Sequence, residues 1–349
     1  MAEAAQRLVL VPGGAGYIGS VLTRRLLERG MGVRVLDSLL YGNGDSLDGV
    51  EGAGYDFVEG DVRSAEDVRG ALQGVTDVVL LASLVGDPVC KGNPDLARQT
   101  NLDGARRVFE AADEAGVDRL IFASTCSNYG LRSEDDDPAS EDDELHPLSL
   151  YAETKVEMER EILDRADDWS FSPTILRLAT AYGLSPRMRF DLTVSEFTRE
   201  LVLGNPLDVY DPDTWRPYCH TEDISEAIAT TLEAPAADVE GEVFNTGGDE
   251  GNFTKRMIVE AALDALDGKG EVVWTEGGDD ARNYRVSFAK IRDRLGFEPK
   301  HTVPGSISEL VAALREGRFT DVEERSLFYR NYELSPAHAG EGEGGGDAG

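Results

Sequence analysis

Short apolar runs alternate with longer amphipathic stretches through the first half of the chain. The runs at residues 8–11, 33–36, 55–58, 78–81, 120–123 and 174–178 are continuous, as strands buried on both faces of a sheet require. Between them, the spacing of apolar residues predicts helices at 18–29, 65–72, 94–115 and 151–165. This alternation predicts an α/β fold with a doubly wound parallel sheet covered by helices on both faces.

The regular alternation fades after about residue 184. Short runs at 207–210 and 243–245, with helical patterns near 191–203, 223–233 and 254–266, predict a smaller mixed α/β lobe and at least one return of the chain to the sheet. The acidic segment 133–144 and the Gly/Glu-rich end at 340–349 are predicted to be unstructured, and we assign 336–349 to a disordered acidic tail.

The charge balance excludes several classes of partner. The 349 residues include 34 basic and 67 acidic ones, which gives a net charge of -33. Phosphate backbones and anionic membranes would repel such a surface, so we expect no nucleic-acid or membrane partner. Only six basic residues are Lys. High acidity with scarce Lys is typical of proteins that work at molar salt; the alternative is an ordinary acidic protein with acidic tails.

Three features indicate the compartment. The apolar runs are too short to span a bilayer, and the first seven residues lack the basic and apolar stretches of a secretory signal. The three cysteines, at 90, 126 and 219, form no disulfide framework and fit a reducing environment. We therefore expect a cytoplasmic protein.

A glycine-rich turn follows the first predicted strand. Gly13, Gly16 and Gly19 would let the chain turn tightly, bring backbone amides close to a pyrophosphate and allow the next helix to pack against the sheet. Asp37 ends the second predicted strand, where a carboxylate accepts hydrogen bonds from an adenosine ribose and repels a 2′-phosphate. The pattern predicts NAD rather than NADP as cofactor; the alternative is a purely structural turn.

A tyrosine and a lysine stand four residues apart, at Tyr151 and Lys155, and would share one helix face. The Lys ammonium and an oxidised nicotinamide would both favour the phenolate, which would then take a proton from a sugar hydroxyl. This spacing is weak evidence alone. Ser124 and Thr125 strengthen it, because they lie at the end of the fifth predicted strand, where either hydroxyl would bond the reacting oxygen; turn formation is the alternative role.

Together these segments resemble the extended short-chain dehydrogenase/reductase superfamily, in its nucleotide-sugar epimerase/dehydratase group, over roughly residues 7–330. The resemblance implies a Rossmann-type sheet with a smaller substrate-binding lobe. It implies a catalytic set of Thr125, Tyr151 and Lys155 with Ser124 beside them. It further implies cofactor contacts from the residues Gly13, Gly16, Tyr17, Ile18, Gly19, Asp37, Asp61, Val62, Leu81, Ala82, Ser83, Asn101, Tyr151 and Lys155.

The same resemblance implies substrate contacts and an organisation. Arg216 and Arg282 would hold the diphosphate of a nucleotide-diphosphate sugar, since a planar guanidinium pairs with two phosphate oxygens, and Thr180 would contact the sugar. Residues 1–183 and about 215–250 would form the NAD-binding domain. Residues about 184–214 and 251–335 would form the nucleotide-sugar-binding lobe. A homodimer through the helices at 94–115 and 151–165 is implied as well.

Departures from the family pattern separate the candidate reactions. Dehydratases of the group usually place Asp-Glu directly after the active-site Thr, whereas this chain has Cys126 and Ser127. Thr180 stands where many relatives have Asn. We therefore predict an NAD-dependent 4-epimerase acting through a transient keto-sugar, with a dehydratase, decarboxylase or reductase of the same fold as the alternative and a non-enzymatic NAD sensor as a further one. No metal site is expected, because His and Cys lack ligand spacing.

Overall fold

The computed structural model describes residues 7–133, 135–278, 280, 282–332 and 334; the predicted tail at 336–349 lies outside them. The strands in this part of the chain are β1 (Leu8–Pro12), β2 (Gly32–Asp37), β3 (Tyr55–Glu59), β4 (Asp77–Leu80), β5 (Arg119–Thr125), β6 (Ser172–Leu178), β7 (Thr180–Tyr182), β8 (Leu207–Tyr210), β9 (Trp215–His220), β10 (Glu242–Thr246), β11 (Asn252–Thr254) and β12 (Val272–Thr275).

The α-helices are α1 (Gly19–Glu28), α2 (Ala65–Ala71), α3 (Asp87–Gly92), α4 (Pro94–Arg98), α5 (Ala105–Ala115), α6 (Leu150–Asp164), α7 (Thr193–Leu203), α8 (Thr221–Glu233), α9 (Ala236–Val239), α10 (Lys255–Ala265), α11 (Ala289–Leu295), α12 (Val303–Arg315) and α13 (Ser326–Tyr329). A π-helical segment, Gln99–Gly104, joins α4 to α5, so the predicted helix at 94–115 is interrupted. Short 3₁₀ turns lie at Gly44–Leu47, Cys126–Tyr129 and Asp249–Gly251.

Seven strands form one parallel sheet in the order β10-β6-β5-β4-β1-β2-β3. The predicted α/β fold class is confirmed: all six predicted runs are strands of this sheet, and β10 is the predicted return of the chain. The strand order reverses between β1 and β4. In an open α/β sheet, such a reversal leaves a crevice at the carboxyl ends of the strands, where ligands bind.

The two faces of the sheet carry separate apolar cores. On one face Leu22 and Leu26 of α1 pack with Ile224 and Ile228 of α8. On the other, residues of α2, α5 and α6 pack against β4 and β5, with Phe109 fully buried. The expectation that every strand is buried on both faces is wrong for β3. This strand is at the edge of the sheet and its side chains are largely exposed.

Two short sheets lie outside the central sheet, and the second of them belongs to the smaller lobe. Strands β11, β9 and β7 form one, and β12 pairs with β8 in the other. Helices α7, α10 and α12 pack together through Val194, Ile258 and Ile307. The apolar pattern predicts α7 and α10 but not α12, because Pro304 and Gly305 in the first turn of α12 interrupt the helical pattern.

The acidic segment at 133–144 is ordered where the structure describes it, so its prediction as unstructured is wrong. Ala139 is fully buried and forms a bridge with Val286. A carboxylate oxygen of Glu141 accepts a hydrogen bond from the backbone amide of Asn245 at 2.7 Å. Long-range contacts hold this acidic segment, which its composition does not reveal. Among the described helices, none combines the length and apolar character needed to cross a membrane.

Candidate active site

A cavity of about 530 Å³ lies at the carboxyl ends of the central strands, with walls from the glycine-rich loop, helix α6 and the smaller lobe. Except for Asn101, the residues predicted from the sequence to form the site all line it. They are Gly13, Gly16, Tyr17, Ile18, Gly19, Asp37, Asp61, Val62, Leu81, Ala82, Ser83, Ser124, Thr125, Tyr151, Lys155, Thr180, Arg216 and Arg282.

Asn101 lies behind this wall and is 2% exposed. Its Oδ1 accepts hydrogen bonds from the Leu84 amide at 2.7 Å and the Ser83 hydroxyl at 2.9 Å, while its Nδ2 donates to the Leu84 carbonyl at 3.1 Å. The side chain therefore fixes the backbone that follows β4. Its position supports the cavity wall.

At two positions, the glycine-rich loop has no room for a Cβ and therefore requires glycine. Gly13 has φ of +86°, and a Cβ there would lie 2.7 Å from the backbone nitrogen of Ala82. A Cβ on Gly19 would lie 2.2 Å from the carbonyl oxygen of Gly13. This close packing brings the N-terminus of α1 to the edge of the cavity, where its free amides and helix dipole favour an anion.

Two carboxylates line the part of the cavity next to the loop. Asp37 accepts hydrogen bonds from the amides of Ala15 at 3.0 Å and Leu39 at 2.9 Å, so it orders the loops on either side. Burial raises the pKa of this carboxyl, and the two amides oppose the increase. Asp61 is held by the guanidinium of Arg63, with N–O distances of 3.0 and 2.8 Å.

Ser124 and Thr125, the two hydroxyl residues at the end of β5, have different hydrogen-bond partners. Neighbouring residues of a strand face opposite sides of the sheet. The Ser124 hydroxyl donates to Glu159 in a buried network. The Thr125 hydroxyl accepts from the Ser127 amide at 3.1 Å and caps the 3₁₀ turn beside the cavity. The geometry therefore favours Thr125 as the residue that would contact a ligand.

Helix α6 brings Tyr151 and Lys155 to the same wall as Thr125. The Lys155 ammonium donates to the carbonyl oxygen of Ala123 at 2.8 Å and lies 5.8 Å from the centre of the Tyr151 ring. Lys155 is 3% exposed. The predicted adjacency of the phenol and the amine is thus present, and strand β5 fixes the position of the amine.

The pKa of Tyr151 is not lowered, although the neighbouring Lys155 was expected to favour the phenolate. Burial raises the pKa of the Tyr151 phenol above its ordinary range; Cys90 adds to the increase and the charge of Arg189 opposes it. Burial also lowers the pKa of Lys155 to about 8, against the opposing charge of Glu159. Desolvation is the largest influence on both pKa values, so Tyr151 is a neutral phenol at neutral pH.

A buried ion pair supports the wall from behind. Arg177 binds Glu159 with its Nε and NH2 groups, the shortest distance being 2.7 Å, and both side chains are at most 5% exposed. Asn128 donates to Glu159 at 2.9 Å. Glu159 was not identified from the sequence. Its spacing of four residues from Lys155 on one helix was the available signal.

Arg216 and Arg282 are brought together, and a carboxylate lies between them. Asp280 contacts Arg216 at 3.1 Å and Arg282 at 2.8 Å, and Arg282 also contacts Asp87 at 3.0 Å. Burial would raise the pKa of Asp280, but its bonds and charge contacts with the two arginines hold that pKa well below its ordinary range. No sequence pattern marks Asp280 or Asp87 as part of the site.

The two positions after Thr125 carry no carboxylate. Cys126 is buried, its thiol donates to the Arg177 carbonyl at 3.2 Å, and burial raises its pKa above the ordinary range. Ser127 lines the cavity and its hydroxyl accepts a hydrogen bond from Tyr284 at 3.3 Å. Neither residue is a ready proton carrier at neutral pH.

Further charged residues of the wall were missed: Asp87, Arg187, Arg189, Asp191, Lys255 and Asp280. They lie in loops or at element ends, where no periodic pattern marks them, and only the folded chain brings them to the cavity. Within the described ranges, no group of three or more His, Cys, Asp or Glu residues is arranged to hold a metal ion.

Comparison with known proteins identifies relatives of this arrangement. A family model described as "NAD dependent epimerase/dehydratase family" matches residues 9–247. The UDP-glucose 4-epimerase of Corynebacterium glutamicum is 31% identical over 312 residues, which cover 84% of this chain and 91% of the relative.

Two solved structures are similar over nearly their whole length. The UDP-glucose 4-epimerase of Thermus thermophilus in complex with NAD has a TM-score of 0.77 at 29% identity and covers 88% of this chain and 99% of its own. The dTDP-glucose 4,6-dehydratase DesIV of Streptomyces venezuelae, with NAD bound, has a TM-score of 0.79 at 29% identity, with coverages of 89% and 98%.

Proposed function

This chain belongs to the NAD dependent epimerase/dehydratase family, and we propose that within it the protein is a 4-epimerase of nucleotide-diphosphate sugars. One observation carries the proposal: Thr125, Tyr151 and Lys155 converge on one cavity wall, while Cys126 and Ser127 occupy the two following positions. The first three suit hydride transfer at a hydroxyl-bearing carbon. The last two lack the carboxylates that would remove water.

The residues of the cavity fit NAD. The Gly13, Gly16 and Gly19 loop leaves no room for a Cβ at its tightest points and presents the α1 N-terminus, so it suits a pyrophosphate. Asp37 would accept from the adenosine ribose, with Asp61 on the same side of the cavity. When bound, NAD supplies a hydride acceptor and a positive charge that favours the Tyr151 phenolate.

Tyr151 would move the proton. Its phenolate takes the proton of the sugar hydroxyl as hydride leaves the same carbon, and it returns the proton when hydride comes back to the other face. The Thr125 hydroxyl holds the reacting oxygen. The Lys155 ammonium, fixed on the Ala123 carbonyl, stabilises the phenolate. Because the sugar is oxidised and then reduced within one turnover, no external reductant is needed.

Arg216 and Arg282 would bind the diphosphate of the substrate. Asp280 now bridges the two guanidiniums, so an arriving diphosphate would replace a carboxylate already bound there. Thr180 lines the same cavity and would contact the sugar. UDP-glucose is the first substrate to test, since relatives of this chain act on it.

The organisation of the chain is part of the same proposal. Residues 1–183 and about 215–250 would form the NAD-binding domain, supported by β10 in the central sheet, and about 184–214 and 251–335 the nucleotide-sugar-binding lobe. The net charge of -33 supports a salt-rich environment, and the free thiols of the three cysteines support a reducing compartment such as the cytoplasm. The family resemblance implies that two copies would pair through the helical segments 94–115 and 151–165 to form a homodimer.

The test is product analysis without added cofactor. Purified protein in molar salt is incubated with UDP-glucose and then with other UDP-, dTDP-, GDP- and CDP-sugars, and products are identified by mass and NMR. A 4-epimer of unchanged mass is expected. Loss of one water from the sugar would instead show a dehydratase. Loss of carbon dioxide from a uronate would show a decarboxylase. A stoichiometric need for NAD or NADH would show a dehydrogenase or a reductase.

A further inference from the structure

Arg187 is an unusual buried cation. Five arginines are buried in the described part of the chain, and four of them form salt bridges with carboxylates: Arg177, Arg189, Arg199 and Arg216. Arg187 is 2% exposed, forms no salt bridge with a described carboxylate, and has a buried Nε without a hydrogen-bond partner. Its charge lies in the cavity wall uncompensated by direct contact.

Neutral groups hold the guanidinium in place. It donates to the Asn331 side-chain oxygen at 2.6 Å, and its carbon lies 4.7 Å from the centre of the Tyr41 ring. Burial lowers the pKa of Arg187 to about 10, with the nearby charge of Arg189 adding to the decrease. A cation kept under these conditions is expected to gain an anionic partner when the cavity is filled.

The backbone before Arg187 is attached to the glycine-rich loop. Tyr17 donates to the carbonyl of Gly183 at 2.7 Å, and the Ser185 hydroxyl donates to the carbonyl of Tyr17 at 2.7 Å. The same hydroxyl lies 3.1 Å from that of Ser20 in the first turn of α1 and accepts from the Arg187 amide at 3.3 Å. Arg187 is therefore anchored beside the loop that suits a pyrophosphate.

The other contacts place the guanidinium between that loop and the segment after β2. Tyr41 belongs to this segment, four residues beyond Asp37. The charges of Asp191 and Asp37 both act on Arg187, although neither carboxylate forms a salt bridge with it. Arg216 and Arg282 share Asp280 as their common partner. An anion next to Arg187 would thus belong to the cofactor half of the cavity.

We propose that Arg187 binds the pyrophosphate of NAD and adds a charged contact to the backbone amides of the glycine-rich loop. The inference rests on the proposed use of NAD. A guanidinium suits this task because its donors can bond two phosphate oxygens at once. A 2′-phosphate is a poorer fit, because the Asp37 carboxylate would repel it.

Binding of cofactor fragments to Arg187→Met and Arg187→Lys tests the proposal. Calorimetry is done with NAD, NADP, ADP-ribose and adenosine, at one fixed high salt concentration. Arg187→Met should weaken NAD, NADP and ADP-ribose by about ten-fold or more, as loss of a charged hydrogen bond implies, and leave adenosine unchanged. Arg187→Lys should recover part of the loss. Arg25→Met removes the same charge from an arginine of α1 that pairs with Glu28 and Glu222 and does not line the cavity, and this variant should bind all four like the wild type.

Thermal melting separates this role from a structural one. If Arg187 serves to bind an anion, the melting temperature of ligand-free Arg187→Met should be no lower than that of the wild type. On addition of NAD, the melting temperature of the variant should rise by less than that of the wild type. Unchanged ADP-ribose affinity, or a loss confined to NADP, would overturn the inference. So would a large fall in the melting temperature of the ligand-free variant. If the wild type itself binds neither NAD nor ADP-ribose, the proposed function fails together with this inference.

Discussion

The Lys155 ammonium donates a hydrogen bond to the carbonyl oxygen of Ala123 at 2.8 Å. These residues are 32 positions apart, and the bond crosses from helix α6 to strand β5. It fixes the amine beside the Tyr151 ring, at the carboxyl end of the sheet where Thr125 also lies. The helix provides the four-residue spacing of phenol and amine, and the strand gives the pair its position relative to the cavity.

Replacement of Tyr151 by Phe should abolish turnover while preserving binding. Only the ionisable oxygen is lost, and loss of one general acid–base group costs roughly 10²- to 10⁴-fold in kcat. Affinities for NAD and for UDP, measured by calorimetry, should stay close to those of the wild type. A variant with near wild-type turnover would remove Tyr151 from the mechanism.

Lys155 should titrate well below ordinary lysines in the cofactor-free protein. The chain has six lysines, and NMR of the lysine side chains should give one midpoint near the pKa of about 8 that burial imposes on Lys155. The unfolded chain keeps this proton up to about 10.5, so the unfolding free energy should rise between pH 8 and 10.5 because of this group. Lys155→Met should lack that rise and should also bind NAD more weakly. An ordinary midpoint for Lys155 would contradict the burial argument.

Asp37 should determine the preference for NAD over NADP. Its carboxylate would accept from a ribose hydroxyl and repel a 2′-phosphate, so Asp37→Ala should narrow the affinity ratio, by about ten-fold for one charged contact. Asp37→Asn is the matched variant, since its oxygen can still accept from a loop amide such as that of Leu39. Equal affinities of the wild type for both cofactors in equilibrium titration would refute this assignment.

Arg282→Met should weaken nucleotide binding without affecting NAD. The guanidinium is one of two that contact Asp280, and losing one charged bidentate contact should raise the Kd for UDP by about ten-fold or more. Arg256→Met is a suitable control, because Arg256 pairs with Asp213 on the surface of the same lobe. An unchanged Kd for UDP would place the diphosphate elsewhere.

Stability should depend strongly on salt. The net charge of -33 means that acidic side chains repel one another. This repulsion acts over a Debye length of about 30 Å at ~10 mM salt, but over only about 3 Å at ~1 M salt. We expect the melting temperature, followed by circular dichroism, to rise steadily with KCl, and structure to be lost in dilute buffer. NaCl at the same ionic strength should give the same increase, because the Debye length depends on ionic strength and not on which monovalent cation is present. A melting temperature that is independent of KCl would contradict the interpretation of the charge.

Parts of this site follow from local patterns, and parts do not. The glycine spacing at 13, 16 and 19 and the acid at 37 were sufficient to locate the loop, because a tight strand-to-helix turn tolerates little else. The sequence could not show whether Ser124 or Thr125 would contact a ligand, because both side chains carry a hydroxyl. It depends on Glu159, a residue of another element, which takes the Ser124 hydroxyl.

The sequence alone determined that the central sheet is parallel and that the site lies at the carboxyl ends of its strands. Apolar periodicity is a local property, and the carboxyl ends of parallel strands meet at one edge whatever the loops do. Tertiary structure alone decided the electrostatics: the pKa directions of Tyr151 and Lys155, the carboxylate between Arg216 and Arg282, and the lack of a salt bridge between Arg187 and any described carboxylate. These depend on burial and on distances between residues far apart in the chain, since desolvation and Coulomb attraction act through space and leave no repeating pattern in the sequence.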